Sequence, residues 1–85
     1  MSRTHHYLKI ETKYFQEVEK GVKKFELRKN DRDFKPYDMV YLKESVNGVE
    51  TGRVIHPPLE INYVLTSAEA GKYGLSEGYC IFNWK

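Results

Sequence analysis

Lys23, Glu26 and Arg28 fall within one short segment, Gly21-Val22-Lys23-Lys24-Phe25-Glu26-Leu27-Arg28-Lys29-Asn30-Asp31-Arg32. Residues two apart on an extended strand share a face. The Glu26 carboxylate therefore lies close enough to orient the Arg28 guanidinium. An arginine held this way presents its donor fork to a phosphate or a base edge. Lys24 shares that face if the strand is regular, and Arg32 reaches back from the turn that follows. Lys23 and Glu26 also make a minimal hydrolytic pair, with Glu26 as general base and Lys23 as electrostatic stabiliser. The competing reading is a structural Glu-Arg pair that ties a barrel opening together.

Charge distribution supports an anion-binding edge. Between Lys20 and Lys35 there are seven cations (Lys20, Lys23, Lys24, Arg28, Lys29, Arg32, Lys35) and three anions (Glu26, Asp31, Asp33), a local excess of four positive charges. The rest of the chain is mildly acidic, and the total is only +2. Such asymmetry is the pattern of a local anion-binding edge, and equally that of a solvated charged surface. Other chemistries are poorly represented. His5, His6, His56 and Cys80 lack metal-ligand spacing, so no metal site is expected. No glycine-rich phosphate loop is present, and no cofactor is implied.

Aromatic residues lie close to the basic segment. Phe25 alternates with Leu27 and is expected to face the core. Phe34 and Tyr37, in the following connection, are the better base-stacking candidates.

These side chains need elements to hold them. His6-Tyr7-Leu8-Lys9-Ile10 alternates as a strand with Leu8 and Ile10 on one face. Thr12 then caps a helix from Lys13 to about Lys20, with Phe15, Val18 and Val22 as its buried stripe and Gly21 as its stop. Lys24 to Lys29 reads as a strand, residues 30–38 as a polar connection, and Met39 to Leu42 as a strand apolar on both faces. Asn47-Gly48, flanked by valines, predicts a type I′ hairpin returning through Thr51 to Ile55. Pro57 and Pro58 interrupt that arm. Leu59 to Leu65 alternates as one further strand, residues 66–78 read as a loop with one helical turn, and Gly78 to Trp84 closes the chain as a strand. The order predicts an α+β fold, a small curled sheet or barrel of five to six strands with one or two helices.

At 85 residues the chain is expected to be one domain, residues 1–85. Its 40% hydrophobic content is rich in large rings, which bury much area per residue. No run approaches the roughly 20 apolar residues of a membrane span, and no leader opens the sequence, so a cytoplasmic protein starting at or near Met1 is expected. Cys80 is the lone cysteine, which excludes an internal disulfide. Its apolar run, Tyr79 to Phe82, predicts plain packing.

The block Gly21-x-Lys23-x-x-Glu26-x-Arg28 resembles the ASCH (activating signal cointegrator homology) superfamily, whose members have a PUA-like β-barrel. The likeness is strongest to a branch of short bacterial and phage proteins. His6-Tyr7-Leu8-Lys9, Tyr14-Phe15, Gly21 to Phe34, Thr51-Gly52-Arg53 and Gly78-Tyr79 carry it, so it covers nearly the whole chain. That resemblance implies RNA binding in a cleft beside the helix after the first strand. It implicates Lys23, Glu26 and Arg28, with Lys29, Asn30, Asp31 and Arg32 adjoining. Some members are amidohydrolases acting on a modified cytidine through a Lys and a Thr on this segment. The Thr falls where this chain has Glu26, which weighs against that nucleophilic mechanism here. The branch usually has Gly before the Asp that opens the next strand, whereas here Tyr37 precedes Asp38.

The leading expectation is a binding module for RNA or a nucleotide-like ligand, more a binder than an enzyme. Its site comprises Lys23, Lys24, Glu26, Arg28, Lys29, Asn30, Asp31 and Arg32, with Arg53 closing the rim. A small hydrolase or nuclease using Lys23 and Glu26, and a protein-interaction module, are the alternatives. Oligomeric state is not legible.

Overall fold

Alternating Leu8 and Ile10 bury one side of the first strand, and Phe15 and Val18, three apart, bury one side of the helix that follows. The computed structural model describes residues 3–85; the expected chain start at Met1 lies outside them. The elements are β1 (His5–Glu11), α1 (Thr12–Glu19), β2 (Phe25–Lys29), β3 (Met39–Val46), β4 (Val49–Val54), β5 (Leu59–Glu60), β6 (Tyr63–Thr66), α2 (Ser67–Ala70), a 3-10 turn (Gly71–Tyr73) and β7 (Tyr79–Asn83). The result is a small α+β fold, mostly strand, with two helices.

The strands form two sheets. In the first, β1 runs parallel to β3 with His5 opposite Met39, and β3 pairs antiparallel with β4 and, further along, with β5. In the second, β7 lies between β2 and β6, antiparallel to both. Among the described residues β1 and β2 are not paired with each other, so the two sheets are not joined there by a backbone ladder. The inner faces enclose one cluster that includes Leu8, Phe15, Val40, Leu42, Cys80 and Phe82. Cys80 packs there fully buried, and burial, helped by the charge of Asp31, pushes its thiol up from its ordinary value.

Several local expectations change. The N-cap is Glu11, and Thr12 is the first helical residue. Gly21 adopts a φ of +77° and its N–H donates to the Val18 carbonyl, so the chain leaves the helix before Val22, which is 71% exposed instead of buried. The expected strand over 59–65 is two strands in different sheets, because Ile61 turns fully inward between them. Phe34 is buried against His6 and Phe82, with centroids 4.7 and 4.8 Å away, and cannot stack on a ligand. The 47–48 hairpin forms as its residues require, with φ of +50° at Asn47 and +82° at Gly48.

The most consequential change is in β2. Its alternation is real but its facing is reversed: Glu26 is buried and Arg28 partly so, while Phe25 and Leu27 are half exposed.

A candidate binding groove at the seam of the two sheets

The free edges of β1 and β2 face each other across a groove of about 450 Å³. Lys9, Ile10 and Glu11 line one side, Phe25 to Arg28 the other, with Tyr14 of α1 and Lys23 between them. Gly21 makes this possible, since ending the helix there brings Lys23 back over the start of β2.

Glu26 organises the floor. One carboxylate oxygen accepts a hydrogen bond from Lys23 Nζ, and the other accepts from Arg28 Nε at 2.8 Å. Lys23 also donates to the Phe25 carbonyl at 2.7 Å, and its Nζ stands 5.0 Å from the Phe25 ring centroid and 5.6 Å from that of Tyr14. Arg28 reaches across the seam, donating from Nη2 to the Lys9 carbonyl at 2.6 Å. Arg32 does the same two residues earlier, from Nη1 to the Tyr7 carbonyl at 3.1 Å. Two guanidinium groups thus satisfy carbonyls on the free edge of β1 that a neighbouring strand would otherwise take. At side-chain exposures of 14% for Lys23 and 25% for Arg28, the ion triad is sheltered yet still meets solvent.

Of the residues expected at the site, the structure gathers Lys23, Glu26 and Arg28 at the groove and Arg32 at its seam. The others lie elsewhere. Lys24 lines a separate concavity with Val18 and Trp84. Lys29 is exposed, opposite Tyr79 at the far end of β2. The Asn30 side chain accepts from the Phe34 N–H, and its backbone N–H donates to Gly78, so it shapes the turn. Asp31 is exposed near Cys80. Arg53 does not line the groove: its Nη2 donates to both carboxylate oxygens of Glu19, at 2.9 and 3.1 Å, its guanidinium lies over the Phe15 ring, and Nη1 approaches Glu44 at 3.5 Å. Tyr37 is exposed beside Pro57 and Pro58, away from the groove.

Lys9, Glu11 and Tyr14 are groove residues that spacing did not single out. Tyr14 sits one position before the buried Phe15, and that offset is the signal that it flanks the helix stripe. Two buried carboxylates stand apart from the groove. Glu44 lies below its ordinary value chiefly because the Thr51 hydroxyl donates to it at 2.7 Å, against burial and with help from Thr12 and Arg53. Burial would raise Asp38, but hydrogen bonds from His6 at 2.9 Å and from the Thr4 and Lys35 N–H groups at 3.1 Å outweigh it and hold the carboxyl low. Among the described residues no group of three or more His, Cys, Asp or Glu side chains is placed to hold a metal ion. No helix there is long and apolar enough to cross a membrane.

Comparison with protein families matches residues 5–84 to a family described as "Domain of unknown function (DUF3850)", and the chain belongs to that family. A stretch of 50 residues is 44% identical to the "Uncharacterized 12.9 kDa protein in GpA 3'region" of Escherichia phage P2. That stretch covers 59% of this chain and 46% of the phage protein, so the chain spans less than half the length of this relative.

Proposed function

We propose that this DUF3850 domain is an ASCH-type, PUA-like module that binds RNA, or a nucleotide-like ligand, in the groove between β1 and β2. The observation that carries the reading is the Lys23–Glu26–Arg28 triad, set between the Tyr14 and Phe25 rings in a groove of about 450 Å³. Cations held in place by a shared carboxylate, beside accessible ring faces, suit a phosphate and a base together. The volume lies within the roughly 300–1,000 Å³ common for small-ligand sites. The β-α-β opening and the sheets curling around one core support the PUA-like reading, in which side chains instead of a backbone ladder close the seam of the barrel. A cytosolic location accords with an RNA ligand.

The test is a fluorescence-polarisation titration with short single-stranded RNA at two salt concentrations, comparing wild type with Arg28→Ala. Saturable binding that weakens as salt rises and is lost in a folded Arg28→Ala protein is the expected result. A salt-independent affinity, or full binding by the variant, contradicts phosphate contacts at this site.

Hydrolysis is the second reading, favoured by the direct Lys23–Glu26 contact inside the groove. Glu26 engages two cations with its two oxygens, which suits a positioning residue better than a base that must take a proton from water. Turnover of a modified nucleoside or RNA that disappears in Glu26→Gln would establish the hydrolytic role.

A further inference from the structure

The outer face of the β1–β3 sheet carries chemistry that the groove does not use. In the parallel register Tyr7 stands opposite Tyr41 and Lys9 opposite Lys43, all on the face away from Leu8 and Leu42. The Tyr7 and Tyr41 rings stack with centroids 4.6 Å apart and planes 13° from parallel. His5 extends the row, 5.8 Å from Tyr41 at 27°, with its Nδ1 3.0 Å from the Tyr41 hydroxyl. Cross-strand stacking stabilises a sheet, but it does not use up the rings here. Tyr7 remains 53% exposed, so ring surface is still open to solvent.

The charges around this row are selective. Lys43 Nζ lies 5.5 Å from the Tyr7 centroid. Lys9 donates to the Gly48 carbonyl and Arg32 to that of Tyr7, and neither joins an ion pair among the described residues. Of the acids at the margins, Glu50 pairs with Lys43 at 3.5 Å and Glu60 with Arg3 at 3.0 Å, while Glu11, two residues beyond Lys9 on the same face, joins no ion pair among the described residues. On the Tyr7 side the unpaired cations Lys9 and Arg32 therefore outnumber the unpaired Glu11 carboxylate. Lys9 also lines the groove, and it is only about 7 Å along the strand from Tyr7.

We infer that the Tyr7–Tyr41 face is a base-stacking platform continuous with the groove, so that the ligand is a single-stranded nucleic acid several nucleotides long instead of a free nucleotide. This rests on the groove reading and extends it: one residue of the strand occupies the groove, Arg32 and Lys9 meet the backbone at the seam, and the neighbouring bases stack on the tyrosines.

Affinities for octauridylate and for uridine 5′-monophosphate, measured for wild type, Tyr7→Ala, Tyr7→Phe and Arg28→Ala, test the inference. A stacked base contributes about 1–3 kcal/mol, so Tyr7→Ala should weaken octamer binding about tenfold, and Tyr7→Phe should restore it. Tyr7→Leu keeps the apolar cover of the strand; with an unchanged circular dichroism spectrum it should show the same loss, which separates stacking from stability. If Tyr7→Ala and Tyr7→Leu bind the octamer as wild type does while Arg28→Ala loses both ligands, the platform is wrong and the groove reading stands. An Arg28→Ala protein that binds both ligands normally overturns the groove reading and the continuity inferred from it, as does a wild type that binds neither.

Discussion

Glu26 sits where two cations need a counter-charge, and removing it shows what the triad is worth. Glu26→Ala leaves Lys23 and Arg28 facing each other across a vacated site, 14% and 25% exposed. Breaking a fully buried pair costs about 3–5 kcal/mol, but water reaches this groove, so a loss of about 2 kcal/mol is expected. The urea denaturation midpoint measures it. A second residue tests strain. Tyr37 holds a φ of +75°, a region where side chains cost about 1–2 kcal/mol and glycine almost nothing. Tyr37→Gly should raise stability by about 0.5–1 kcal/mol, since part of the relief is offset by the freer unfolded chain. A thermal melt shifted upward would show it.

At the level of elements, one carboxylate reinforces the backbone ladder where β1 meets the start of β3. Asp38 accepts from His6 in β1 and from the Thr4 and Lys35 N–H groups beside it. Its folded value lies below the ordinary 3.8. A depressed carboxyl contributes stability that is present above the unfolded value and lost as the pH falls through the folded one. The acid limb of the stability–pH curve, below about pH 4, should therefore be shallower in Asp38→Asn than in wild type. Denaturant titrations across pH 2–6 check this. Some slope should persist, because Glu44 is depressed in the same sense. The elements also show what the sequence could disclose. Helix α1 and the Asn47-Gly48 hairpin were legible because their own residues dictate them: a stripe at 15 and 18, and two positive-φ positions between valines. The facing of β2 was not. Alternation gives the phase of a strand but not which side is inside, and the apolar-in assumption failed because Lys23 and Arg28 neutralise an inward Glu26. Leu59 to Leu65 misled for a related reason, since a break at Ile61 that sends the chain to the other sheet leaves the hydrophobic period intact.

For the molecule as a whole, the basic segment is less concentrated in space than along the chain. Lys20 and Lys35 pair with nearby acids, Lys24 turns to another concavity, and Lys29 to the end of β2. What remains at the seam is Lys23, Arg28 and Arg32, with Lys9 added from β1. Under the proposed RNA-binding function, recognition would depend on a few oriented cations beside aromatic rings, which predicts a short-range, salt-sensitive interaction. Chemical-shift mapping with a short single-stranded RNA reads the location directly. The account predicts that the largest perturbations fall on Lys9, Tyr14, Lys23, Phe25, Glu26 and Arg28. Perturbations confined to the β6–β7 face or to the Arg53–Glu19 contact, or none at saturating RNA, would contradict it.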